Sequence, residues 1–214
     1  MTEQIAKLDQ WLASLAGKHP AEWDSLPDIG LYMDQVQTFI DRQLGIYRKD
    51  ADDRLLTPAM INNYIKDSLI PRAELKKYAP VHLALLIMIG TLKQVHSIPN
   101  LNQLLATYRE PAAVSEFYGR FLEIQRASLL DNSTQVLAET AKLSAETAAD
   151  ADRQTRDALR NLALELSIEA RTRILIAEKI LELLAVPKPE APPEKKREKT
   201  RKPKAPVEKN VPDT

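Results

Sequence analysis

The chain has 214 residues, of which 44% are hydrophobic, 28% charged and only 5% aromatic, and its 30 basic residues balance 30 acidic ones. That is poor material for strands and good material for helices. The absence of cysteine excludes disulfides, thiolate metal sites and a cysteine nucleophile. Residues 1–20 lack a basic stretch followed by an unbroken apolar run, so no signal peptide is expected. The longest apolar run is broken at Thr91 and Lys93, short of the roughly 20 residues of a membrane span. A soluble, cytoplasmic protein without membrane contact is expected.

In chain order, Ile5, Leu8, Trp11, Leu12 and Leu15 recur at spacings of three and four, which predicts an amphipathic helix over residues 2–16 packed on the body of the domain. Gly17 and Pro20 end it. After an entry turn at Leu26-Pro27-Asp28-Ile29, a second helix opens at Asp28 or Gly30 and runs to Gly45, with Leu31, Val36, Phe39, Ile40 and Leu44 apolar. Residues 47–54 form a charged loop. Its neighbours Asp50, Asp52 and Asp53 are better explained as solvated than as a carboxylate pair for acid–base work.

Thr57 is a good N-cap and Pro58 suits the first helical position. In the helix that follows, Met60, Ile61, Tyr64 and Ile65 share one flank, and Asn62, Asn63, Lys66 and Asp67 lie largely on another. Leu69-Ile70-Pro71 closes it. Arg72, Lys76, Lys77 and Tyr78 follow, with room for at most a two-stranded wing. Residues 81–95 are apolar almost all round, which predicts a central core helix. Ser97 caps a helix over 98–108. His82 and His96 lack a metal-ligand spacing, so no metal site and no cofactor are expected.

Beyond Pro111 the pattern is helical for a long way. Val114, Phe117, Phe121, Leu122, Ile124 and Leu129 make one amphipathic helix, and residues 132–151, rich in Ala, Thr and Ser, make either a thin helix or a connector. Leu159, Ala163, Leu166, Ala170, Ile174, Ala177, Leu181 and Leu184 approach a heptad seam, widened by Leu162, Ile176 and Ile180. Such a stripe needs a partner: the body, the preceding helix or a second copy, of which a homodimer through the C-terminal helices is favoured. Residues 187–214, dense in Pro, Lys and Glu, are expected to be disordered, serving as a solubilising tail or adding nonspecific attraction to nucleic acid.

The neutral total hides segregation: residues 42–80 carry +3, residues 131–184 carry −3 and the tail after Val186 carries +4. Asparagine can bond an adenine edge in two places, lysine can reach guanine or phosphate, and tyrosine can pack its ring while its hydroxyl reaches a phosphate. The bland alternative is that both asparagines sit on a solvated face.

The run Met60 to Pro71, the pair Lys76-Lys77 before Tyr78, and the two helices after it resemble the MerR family of bacterial transcription regulators. The words LPDI-x-LYMDQV, from Leu26 to Val36, and LT-x-x-MINNY, ending at Tyr64, are similar to a bacterial family of unassigned function, taken here as a divergent MerR-like branch. The resemblance covers roughly residues 26–108. It departs at Asn62, where the regulators carry arginine, at Ser68, where they carry glycine, in a longer connection between the first two helices, and in the lack of cysteine.

The resemblance implies an all-α fold with a winged helix-turn-helix-like core, long C-terminal helices and a disordered tail. The division is 1–110 for the helix-turn-helix domain with its N-terminal helix, 111–186 for the coiled-coil-like region and 187–214 for the tail. It implies a dimeric regulator of double-stranded DNA, not an enzyme, with any effector unidentified. Asn62, Asn63 and Lys66 would read or approach bases, Arg72, Lys76, Lys77 and Tyr78 would grip phosphates, and Thr57 and Tyr64 would belong to the same DNA-binding surface. The competing expectation is a helical protein-interaction module whose winged fold no longer binds DNA.

Overall fold

The computed structural model describes residues 2–15, 17–48, 50, 53–105, 108, 110–144 and 151–185. The tail from residue 187, part of the charged loop and the end of the Ala-rich stretch lie outside these. Among the described residues are seven α-helices: α1 (Thr2–Leu15), α2 (Met33–Gln43), α3 (Pro58–Lys66), α4 (Pro80–Leu92), α5 (Ile98–Leu105), α6 (Pro111–Ser144) and α7 (Ala151–Leu184). No strand occurs among them, only the isolated antiparallel bridges Leu31–Tyr78 and Glu74–Lys77. The fold is all-α, as composition and periodicity require.

The centre is α4. Every residue from His82 to Gly90 is buried, so the helix is enclosed on all sides, as its unbroken apolar surface demands. Val36 and Ile40 of α2 with Leu44 at its C-cap, Ile61 and Tyr64 of α3, Leu101 and Leu105 of α5, and Val114, Tyr118 and Leu122 of α6 close around it in one cluster. Each fully buried Leu, Ile or Met contributes about 1.5–3 kcal/mol of transfer free energy. The approach of α2 to α4 is set by a missing side chain: a Cβ on Gly90 would fall 2.3 Å from Leu44 Cδ1.

Two expected boundaries shift, and one open alternative is decided, for physical reasons. α2 begins at Met33 because Leu31 is extended, exchanging backbone hydrogen bonds with Tyr78 (Leu31 N to Tyr78 O 3.0 Å; Tyr78 N to Leu31 O 2.8 Å). The backbone amide of Tyr32 donates to Gln35 Oε1 at 2.9 Å, which opens the helix there. Gly45 begins a 3₁₀ turn, Gly45–Tyr47, rather than simply ending α2. The Ala/Thr/Ser-rich stretch from residue 132 continues α6 without a break as far as Ser144, held by Val136, Thr140 and Ser133, which are buried. There Thr140 Oγ1 donates to Asp9 Oδ1 of α1 at 2.7 Å.

A second cluster joins α1 to the far half of α6 and to α7: Leu12, Leu15 and Val136, with Leu8, Ile46, Leu129, Leu137, Leu162 and Leu166 against them. The face of α1 therefore packs on the body. At its other end α7 meets α5, where Gln103 Nε2 donates to the Leu184 carbonyl at 2.6 Å. Of the expected heptad seam, Leu181 is buried, Leu166 joins the second cluster, and Leu159, Leu162, Ile174 and Ala177 are half-buried, whereas Ala163, Ala170, Ile176, Ile180 and Leu184 are exposed. The opposite face of α7 leaves Leu164, Ile168 and Leu175 exposed.

α3 ends in a six-residue motif in which Ser68 N–H donates to the Ile65 carbonyl (3.1 Å) and Leu69 N–H to the Tyr64 carbonyl (2.8 Å). This pattern needs a left-handed residue, and Ser68 adopts φ 57°, at a cost that glycine would not incur. Ser68→Gly should raise the free energy of unfolding by about 1 kcal/mol, read as a higher urea midpoint at unchanged m-value. An unchanged or lower midpoint would show that the serine is not strained.

Candidate nucleic-acid interface

Thr57 caps α3 as its sequence promises: its Oγ1 accepts from the Met60 amide at 3.3 Å, and Pro58 follows at the first helical position. The threonine side chain is thereby committed to the helix rather than to a ligand. Ile61 and Tyr64 point into the core, and Asn62, Asn63 and Lys66 point out and are exposed. Helical spacing alone separates the two sets.

The wing is a four-residue hairpin rather than a pair of strands. Lys77 N–H donates to the Glu74 carbonyl at 2.8 Å, and the two residues between, Leu75 and Lys76, have φ 48° and 63°. Positive φ at both central positions is the type I′ turn, usually built from Asn-Gly. Here its first position is a leucine that is 91% exposed. Bulky residues rarely adopt this conformation, so the turn is held from outside, by the Leu31–Tyr78 bridge and by Gly30 beneath it. A Cβ on Gly30 would fall 2.6 Å from Lys77 Cβ. Lys77 in turn lies over the Tyr32 ring, with Nζ 5.8 Å from its centroid.

Between α3, the wing and the start of α2 lies an open cleft of about 650 Å³. Asn62, Arg72, Lys76 and Tyr78 line it, together with Ile65, Ala73 and three consecutive residues at the start of α2, Tyr32, Met33 and Asp34. Three expected polar contact residues, Asn62, Arg72 and Lys76, thus share one cavity although up to fourteen positions separate them in sequence. Asn63, Lys66 and Lys77 are exposed but do not line it. Tyr32, Met33 and Asp34 were not expected there. The only signal was their place in the LYMDQV word, because a helix start displaced to Gly30 would have hidden them inside α2.

Two expected contact residues are largely buried. Tyr64 and Tyr78 are each 4% exposed, and burial raises the pKa of both phenols. Their rings belong to the main core. The Tyr78 ring meets His82 edge-on, with centroids 5.5 Å apart. They brace the face from behind and offer little surface to a ligand.

His82 closes the underside of the wing. Its Nδ1 accepts from the Ala79 amide at 3.0 Å, capping α4, so the neutral ring carries its proton on Nε2, which is buried without a hydrogen-bond partner. Desolvation lowers its pKa below the ordinary 6.5, more strongly than the neighbouring backbone groups and Glu74 raise it. Among the described residues no cluster of His, Asp and Glu could hold a metal ion, and no helix is long and apolar enough to cross a membrane.

Residues 21–121 match the family model described as Domain of unknown function (DUF1836). No curated protein and no solved structure matches the chain. The matched segment nearly coincides with the main core cluster, whose first member is Leu26 and last Leu122. The unit it defines therefore continues past residue 110 into the first turns of α6, and the cleft lies wholly within it.

A group whose folded pKa is depressed contributes its full stability above its unfolded value and loses it as pH falls through the folded one. Unfolding free energy should therefore decline below pH 6.5, by up to about 1.4 kcal/mol per pH unit from this group. His82→Gln keeps an acceptor for the Ala79 amide and should flatten that part of the profile. Equal slopes for the two proteins, in urea titrations between pH 7.5 and 5, would remove His82 as the cause.

Proposed function

We propose that the α3–wing cleft is a surface for double-stranded DNA and that the chain is a cytoplasmic DNA-binding regulator of MerR-like type, acting as a dimer. The observation that carries this reading is the convergence of Asn62, Arg72 and Lys76 on one open cleft, flanked by exposed Asn63, Lys66 and Lys77. Asparagines on a short capped helix suit base edges, and cations on an adjacent wing suit phosphates. The resemblance of residues 26–108 to winged regulators supports the same assignment.

A second reading has its own support. Asp34 stands in the cleft beside Tyr32, Met33 and Ile65, and a carboxylate over an apolar floor suits a protein segment better than a phosphate backbone. Under that reading the cleft belongs to a helical interaction module.

Binding of labelled random duplex across a salt series separates the two. DNA binding predicts a linear fall of log affinity with log salt, about 0.9 per phosphate neutralised. Arg72→Ala and Lys76→Ala should each lower that slope by about 1. No retention at low salt would hand the cleft to a protein partner.

For the dimer, Leu164, Ile168 and Leu175 offer an exposed stripe with spacings of four and seven. Sedimentation at high micromolar concentration should give twice the monomer mass of 24.1 kDa. Leu164→Glu with Ile168→Glu should return it to the monomer without loss of helical signal. A wild-type chain that sediments as a monomer would contradict the dimer.

A further inference from the structure

Away from the cleft, where the main core meets the second cluster, a groove of about 470 Å³ runs between α1, the end of α4, α6 and α7. Its walls are the faces of Trp11, Leu12, Phe121, Ile124, Leu129 and Leu166. We propose that this groove binds an uncharged, mainly apolar small molecule bearing a hydroxyl group. The proposal stands independently of any binding of DNA.

Three observations set the chemistry of the occupant. The first is charge. None of the lining residues is Asp, Glu, Lys, Arg or His, in a chain that is 28% charged. An ion entering this site would lose water and gain no counter-charge.

The second is size. One turn of α-helix with its side chains occupies roughly 400–600 Å³, so the void accommodates about one turn of a partner helix and no more. It does fall within the roughly 300–1,000 Å³ of small-molecule pockets.

The third is an unmet hydrogen bond. Gln125 is 8% exposed, and its Nε2 donates to the Tyr47 hydroxyl at 2.8 Å. Its other amide atom, Oε1, is buried and makes no hydrogen bond within the protein. A buried polar atom without a partner costs about 1–3 kcal/mol. Because the Tyr47 hydroxyl can donate or accept, the two amide orientations are equivalent with respect to it. The orphaned atom is closed off from solvent in this conformation, so a ligand hydroxyl, itself donor and acceptor, meets either one once the Gln125 side chain, which lines the groove, turns toward it. Ser128 and Asn132 line the groove one and two turns further along α6.

Trp11, 53% exposed on the groove wall, is a built-in reporter. In the full chain carrying Trp23→Phe it becomes the sole tryptophan. Titration with 1-nonanol at pH 8 should shift its emission to shorter wavelength, saturably and at one equivalent. Nonanoate, of the same length but charged, should bind at least tenfold more weakly.

Gln125→Leu should weaken 1-nonanol by roughly two- to tenfold, the worth of one hydrogen bond. Ser128→Phe, at an exposed position, fills the groove and should abolish the response at an unchanged urea midpoint. Should that variant fail to fold, Ile124→Glu, also at an exposed site, places a charge in the wall and should reduce binding at least tenfold. The proposal is overturned by any of three results: no saturable shift up to the solubility limit of the alcohol, equal affinity for alcohol and carboxylate, or an undiminished response in the groove variants.

Discussion

A helix apolar on every side has to be enclosed on every side, and the architecture follows from that requirement on α4. Nine consecutive residues, His82 to Gly90, are buried, and a helix about 10 Å across needs several neighbours to cover it. α2, α3, α5 and the first turns of α6 supply them. The enclosure tolerates little adjustment: Leu44 occupies the space that a side chain at Gly90 would take. Closely packed interiors pass such constraints on, since neither helix can shift without opening a void elsewhere.

The cleft inherits its rigidity from this core. Tyr64 and Tyr78 are core side chains whose backbones carry α3 and the wing, so exposed Asn62 and Lys76 stand on buried supports. The wing depends further on backbone held in a sparsely populated region at Leu75 and Lys76. Such turns persist where surrounding contacts over-determine them. Here those contacts are the Leu31–Tyr78 bridge, the close approach at Gly30 and the His82 cap. The entry strap is fixed as firmly: Tyr118 Oη donates to the Ala21 carbonyl at 2.8 Å, the Ala21 amide donates to Gln43 Oε1 at 2.7 Å, and Arg126 pairs with Glu22. Burial, with Glu22 nearby, raises the Tyr118 pKa far above the ordinary phenol range, which keeps it a hydroxyl donor.

Beyond the matched segment the packing changes character. α1, the far half of α6 and α7 share a thin interface built on Leu12, Leu15 and Val136, and most of α7 is exposed. The groove lies at the seam between the two clusters, where the dense core gives way to a looser one. Its position touches the last turn of α4 through Thr91 and Leu92, so any occupant would bear directly on the helix around which the rest is arranged.

Much of this was legible in the chain itself, because it depends on local periodicity and local capping. The helical class, the burial of residues 82–90, the Thr57 cap, the partition of α3 into Ile61 and Tyr64 against Asn62 and Asn63, and the packing of α1 on the body all follow from spacings within one helix. What tertiary structure alone decided depends on residues distant in sequence. Leu31 is extended because Tyr78 pairs with it, which moves the start of α2 and brings Tyr32 to Asp34 into the cleft. The ring of Tyr78 turns inward because α4 needs covering. The Leu159–Leu184 stripe is only partly covered, by α5 near Leu181 and by the second cluster near Leu162 and Leu166, and the uncharged groove exists only where α1, α4, α6 and α7 converge. Periodicity records which face of a helix is apolar. Which neighbour covers that face is set by the shape of the whole chain.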